Sequence, residues 1–406
     1  KFMKILHQLG HNYRGALDAF FENQIGDGFI ISAFSISRDK IGNTLSGYKR
    51  DAYLPLSMID LQFYGSKASR GKNLKSYEFH PANYAGKAST EVSSTIDAVI
   101  SGIKFQENLG LKTIIVPTIH IKPEEDRTRL IQKINDKVRK HKTSVQKRRR
   151  GATDVVYFMT VPISKLSIED DQDIEHLLQD LTDMNIIFDG YYVVCEPDLQ
   201  ARKKISVNLK YYTNLNKVLL TLKKQGFQVI LGFSNVDSLV FSAMSDLDYV
   251  SIGTYEVLRN FNIKRFIDED GGGPSKGWYY SEKLLNFIKS QQLDDLRDRN
   301  ALDLIRNEEN VFSDAILQEG YDWNIHKPDV HKNYLLAVSR QLKKIASFSP
   351  GKDRIEYMVG LINGARETYR QLEEDKGLFL DDESSSYHLP KWLSVLKAPV
   401  IGASSK

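Results

Sequence analysis

Two carboxylates stand out because their neighbours are apolar. Asp60 lies in MIDLQFY and Glu196 in VVCEP, and an ionisable group inside such a run loses hydration unless it is paired or at work. Acids placed this way suit acid–base or nucleophilic chemistry, above all at a sugar bond, where two carboxylates flank the breaking bond within about 10 Å of each other. The competing reading is a structural carboxylate bonded to a neighbouring strand or loop. HQLGH, residues 7–11, adds two imidazoles. His7 and His11 share strand parity, yet four residues at about 3.3 Å each set them roughly 13 Å apart, too far for one zinc ion unless Gly10 bends the chain. His11 therefore reads as a strand-end histidine that bonds substrate or an acidic neighbour, and His7 as buried structure. A metal centre built from His11, Asp60, His120 and Glu196 is the second reading; the leading one requires no metal and no cofactor. Cys195 is the single cysteine, which excludes a thiolate-rich zinc site and an internal disulfide framework.

Eight β-rich runs must position these groups: residues 4–10, 28–34, 57–64, 112–121, 154–163, 190–197, 228–235 and 248–255. They are continuous in Val, Ile and Tyr, as strands covered on both faces are. Between them the period changes. Ile96, Val99, Ile100 and Ile103 fall at i, i+3, i+4, i+7, as do Ile174, Leu177, Leu178 and Leu181, and Leu215, Val218, Leu219 and Leu222. Gly110, Gly190 and Gly226 sit where helix C-caps are expected. The alternation predicts an α/β fold, a (β/α)8 TIM barrel over residues 1–280 with an insertion at 65–90. An α-helical extension over 281–376 and a linker with a short tail over 377–406 are expected to follow.

In such a barrel the chemistry sits at the carboxyl ends of the strands. Asp60, Glu196 and His11 are accordingly the expected catalytic residues. The strand ends and the loops beyond them also offer Gln62, His120, Asn235, Tyr255 and Arg259 as substrate contacts. GGGPSKGWYYS, residues 271–281, follows the eighth strand, where these barrels commonly hold phosphate. Gly272 and Gly273 would supply backbone N–H groups, Lys276 a cation and Trp278 a stacking face; the alternative is that WYY docks the helical extension. No Walker loop is present.

The formal charge of +4 is too small to demand a polyanionic partner. KVRKHKTSVQKRRR, residues 137–150, concentrates the basic charge, and its place on a returning helix aims it away from the reacting centre. No run approaches the roughly 18 apolar residues of a membrane helix, and a cytoplasmic protein is expected.

IDLQFY and the segment VILGFSNVDSLVFSAMSDLDYVSIGTYEVLR, residues 229–259, resemble the tRNA-guanine transglycosylases and the related enzymes that exchange guanine for deazaguanine bases in DNA. The first is similar to that family's aspartate motif, the second to its final barrel segments. Ser251 stands where the family has its nucleophilic aspartate, and the family's zinc cysteines are missing. The resemblance implies a base-recognition or acid–base role for Asp60, a nucleic-acid contact for Arg259, and Glu196 or Asp248 as nucleophile. It makes a nucleotide or nucleic acid the expected partner, in an enzyme acting on an N-glycosidic bond. The other readings are the metal-dependent hydrolase and a non-catalytic subunit of a defence or modification complex, meeting nucleic acid or protein through the extension.

Overall fold

All eight predicted runs form strands, and all eight are parallel. The computed structural model describes residues 3–64, 73–84, 92–119, 127–149, 154–267, 277–324 and 327–398. The strands are β1 (Lys4–Leu9), β2 (Gly28–Ser32), β3 (Ser57–Asp60), β4 (Thr113–Val116), β5 (Val156–Ile163), β6 (Gly190–Cys195), β7 (Gln228–Ser234) and β8 (Tyr249–Gly253). They bond in the order β3-β2-β1-β8-β7-β6-β5-β4, and β3 and β4 lie side by side where the ring closes. This is a (β/α)8 TIM barrel.

The outer helices present the stripes read from the sequence. In α2 (Val92–Asn108), α4 (Asp171–Leu181) and α5 (Leu209–Lys224) all twelve stripe residues are buried. Gly110 and Gly226 follow helices with φ of 84° and 86°, which only glycine adopts without strain. Gly190 has another role: it opens β6, where a Cβ would lie 2.3 Å from the Gln228 carbonyl oxygen. Helix α3 (Arg127–Arg149) carries the basic block, and part of it is paired: Lys137 with Asp97, His141 with Glu107, Lys142 with Asp189. After β2 the chain makes only four-residue helices, a two-residue hairpin and a 3-10 turn before β3.

Of the 65–90 insertion, residues 73–84 are described. They dock rather than project: Tyr77 is buried and donates its hydroxyl to the Ile36 carbonyl, and His80 bonds the Leu61 carbonyl.

The extension opens on an antiparallel hairpin, β9 (Trp278–Ser281) and β10 (Asn286–Lys289). Its long helix α7 (Pro328–Ala346) packs on both α1 (Arg14–Phe21) and α6 (Ser238–Met244). It thus fills the slot of the eighth outer helix, which the short turn after β8 leaves open. The tail is part of the same core. In α8 (Leu389–Lys397) Trp392 is fully buried and donates to the Tyr212 hydroxyl on α5. Among the described residues no helix is long and apolar enough to cross a membrane.

Candidate functional site

Inside the ring a small apolar cluster, including Leu6, Ile30, Met58, Ile115, Phe158 and Ile230, fills the axis. Polar groups stand above it toward the carboxyl ends. Asp60 closes β3, only 1% exposed. It accepts from the Gln62 N–H (3.0 Å), from the Tyr64 hydroxyl (3.0 and 3.1 Å to its two oxygens) and, across the barrel, from the Tyr192 hydroxyl (3.2 Å). Tyr192 reaches this far because β7 carries Gly232 beside it; a Cβ there would lie 2.4 Å from the Tyr192 ring. Gln8 on β1 accepts from Ser251 (2.9 Å) and Tyr192 (3.4 Å), while its own buried amide nitrogen has no partner among the described residues. Burial pushes the Asp60 carboxyl up to about 7, although each of its donors pulls the other way.

The mouth above Asp60 is covered. Leu258 lies flat against Gly253, where a Cβ would meet its own Cβ at 2.3 Å, and against Gly10. From there the chain crosses the opening and buries Phe261, Ile263 and Phe266 against Tyr64, Phe233 and Phe34. Each of these buried side chains contributes about 1.5–3 kcal/mol to closure. Glu196 fastens the segment: Oε1 accepts the Ile263 N–H (2.6 Å) and Oε2 the Lys165 N–H (3.0 Å). Two non-glycine residues beside the mouth have left-handed backbone, Gln62 (φ 53°) and Phe233 (φ 50°). Such strain costs of order 1–3 kcal/mol each and gathers at working sites.

The expected residues thus fall into separate places. Asp60 and Gln62 belong to the axial cluster, Gln62 accepting from Ser32 (2.5 Å) and from the Phe34 N–H (3.0 Å). Glu196 is bonded to the Lys165 and Ile263 N–H groups, and among the described residues it shares no hydrogen-bond partner with Asp60. His11 lies past the end of β1 on the exposed rim, its pKa held below the ordinary value by partial burial and by Arg265. His7 points outward into the shell, bonded to the Ile25 carbonyl, so the two histidines do not share the axis. Asn235, Tyr255, Arg259 and Trp278 line one cleft between the ends of β7 and β8 and the extension. His120, Gly272, Gly273 and Lys276 lie outside the described residues. Tyr279 and Tyr280 dock the extension, fully buried and bonded to Ser313 and Gln341. Sequence reading missed Gln8, Tyr64 and Tyr192. Among the described residues no three His, Cys, Asp or Glu side chains are gathered as a metal site.

No family model matches this chain. No curated protein matches it. Among solved structures it is similar to an intracellular xylanase from Thermoanaerobacterium saccharolyticum, at 9% identity and a TM-score of 0.29 over 67% of this chain and 90% of that one. A glucosidase from Croceicoccus marinus matches at 11% identity and a TM-score of 0.24, over 62% of this chain and 65% of that one. Likeness of this degree carries nothing about substrate. The transglycosylase resemblance is corrected: no model of that family matches the chain. The residues that carried it agree: Ser251 is a buried link between Gln8 and the Phe233 N–H, and Asp248 precedes the amino end of β8, held by Lys223 and the Val229 N–H. The fold is a TIM barrel.

Proposed function

We propose that this chain is a cytoplasmic barrel enzyme in which Asp60, as general acid, gives its proton to the leaving atom of a glycosidic bond while water adds to the anomeric carbon and returns a proton to Asp60, in a small substrate admitted when residues 258–266 lift from the mouth. One observation carries the reading: a carboxyl group at a strand's carboxyl end, held near neutrality among convergent phenol and amide groups beneath an aromatic cover. A carboxyl with a pKa about 7 is half protonated at neutral pH, the poise that proton transfer favours. The phenols serve either protonation state, since a hydroxyl donates to a carboxylate and accepts from a carboxylic acid. The aromatic rings of Tyr64, Phe233 and Phe34 offer an apolar wall and Gln8 an unused donor, the mixture typical of small-molecule sites. Glu196 belongs to the gate, and His11 faces substrate once the mouth is open.

The test is turnover of a panel of aryl O-glycosides and nucleosides by the wild-type chain and by Asp60→Asn. The reading expects activity that falls as pH rises past about 7, and a loss of at least about 100-fold in Asp60→Asn. An Asp60→Asn protein as active as the wild type, or no turnover of any glycoside, overturns it.

A further inference from the structure

The cleft beside the barrel mouth is a second polar site, and the acid chemistry does not use it. Its floor is the end of β7 and β8, Asn235 and Thr254–Glu256, and its far wall is the extension, with Trp278, Phe287 and His331. Asn235 is 3% exposed, and its amide orientation is fixed because Nδ2 donates to the Lys204 carbonyl at 2.7 Å. Its Oδ1 is buried in the cleft wall with no donor among the described residues. An unmet buried acceptor of this kind costs about 1–3 kcal/mol, and a ligand hydroxyl or amino group would meet it.

The charges in the cleft point to what else the ligand carries. Lys204 is paired with Glu256 and Lys289 with Asp381 and Glu383, so both lysines beside the Trp278 ring are balanced. Arg259 is different. Its guanidinium stacks on Tyr334 at 3.6 Å and donates through Nε to the Gly253 carbonyl (2.8 Å) and through Nη2 to the Thr254 carbonyl (2.6 Å). No carboxylate pairs with it among the described residues, and Nη1 makes no hydrogen bond there. A preformed, stacked guanidinium with one free donor edge is suited to phosphate, and the ends of strands seven and eight are where barrels of this kind commonly hold one.

We propose that this cleft binds a phosphorylated small molecule of the sugar-phosphate or mononucleotide class. The phosphate lies at Arg259 Nη1, a hydroxyl or amino donor lies on Asn235 Oδ1, and the body lies against Trp278. The site is separate from Asp60, so binding here is expected to survive Asp60→Asn.

Calorimetric titration of the full chain with ribose 5-phosphate, adenosine 5′-monophosphate, ribose, adenosine and inorganic phosphate tests it, with Trp278 fluorescence as a second readout. At least one of the two phosphate esters is expected to bind at one site, at least about tenfold more tightly than its phosphate-free counterpart and than inorganic phosphate. Arg259→Lys, which keeps the charge and removes the planar edge, is expected to weaken that binding at least about tenfold. Trp278→Phe is expected to remove the fluorescence change while calorimetric binding persists, and it keeps the test alive should the Arg259 variant fail to fold. The proposal is overturned if neither ester binds more tightly than about 1 mM, if ester and phosphate-free counterpart bind alike, or if inorganic phosphate binds as tightly as the esters.

Discussion

Gly232→Ala adds one methyl group at the point where β7 passes the Tyr192 ring. The new Cβ would lie 2.4 Å from Tyr192 Cε2, 2.8 Å from its Cζ and 2.8 Å from Val194 Cγ1. Carbon atoms rest about 3.5–4.0 Å apart, so the ring must retreat by about 1 Å or the strand must move. Overpacking of this kind in a filled core costs about 1–3 kcal/mol. The displacement has a second consequence. The Tyr192 hydroxyl stands 3.2 Å from Asp60 Oδ2, and a shift of that size breaks the bond. A hydrogen bond to a charged group is worth about 1.5–3 kcal/mol, and its loss disfavours the carboxylate but not the neutral acid. The Asp60 pKa is therefore expected to climb from about 7 by a further one to two pH units, at about 1.36 kcal/mol per unit. Urea unfolding followed by circular dichroism gives the stability, and an NMR titration of the Asp60 carboxyl carbon gives the pKa. A variant within about 0.5 kcal/mol of wild type, with an unmoved Asp60 titration, would refute the link from Gly232 through Tyr192 to Asp60.

Three further outcomes are expected. Glu196→Ala removes the acceptor for the Ile263 and Lys165 N–H groups; amide exchange in residues 258–266 is expected to quicken by about tenfold or more, corresponding to at least about 1.4 kcal/mol, and unchanged exchange counts against Glu196 as the anchor. Trp392→Ala empties a fully buried site and removes the indole N–H that the Tyr212 hydroxyl accepts; a loss of about 3–5 kcal/mol in urea unfolding is expected, and a loss below about 1 kcal/mol would mean that the tail is not part of the barrel's core. His388 is buried and neutral, its pKa lowered to about 3 by burial, so the unfolded chain takes up a proton below pH 6.5 that the folded chain refuses, and stability falls as pH drops from 6.5. His388→Gln, which keeps a donor for the Leu285 carbonyl, is expected to flatten the fall of stability between pH 6.5 and about 4 by up to about 1.36 kcal/mol per pH unit; an unchanged slope contradicts it.

The barrel was legible because its signal is redundant. Eight apolar runs, three helical stripes and the left-handed glycines at 110 and 226 agree with one another. The site was legible only in part, for a physical reason. A strand buried on both faces has no polar–apolar alternation, so parity along it is invisible. HQLGH drew attention to His7 and His11, yet Gln8 is the residue that faces the axis. In GYYVVCEP the same blindness left Tyr191 and Tyr192 indistinguishable, although one packs in the outer shell and the other bonds Asp60. Glu196 was conspicuous for its apolar neighbours; its partners are backbone N–H groups, which no side-chain pattern reveals. DDESSSYHLPKWLSVL read as an acidic linker and tail, because nothing local shows that Trp392 finds Tyr212, 180 residues away in the chain. The cover over the mouth, residues 258–266, has neither period and was not anticipated.

The central claim is that Asp60 is a near-neutral acid at the barrel axis. Its most direct measurement is a carbon-13 NMR titration of the Asp60 carboxyl in the intact chain, with Asp60→Asn identifying the resonance. A midpoint close to 7 is the expected result; a midpoint near the ordinary aspartate value of 3.8 would contradict it.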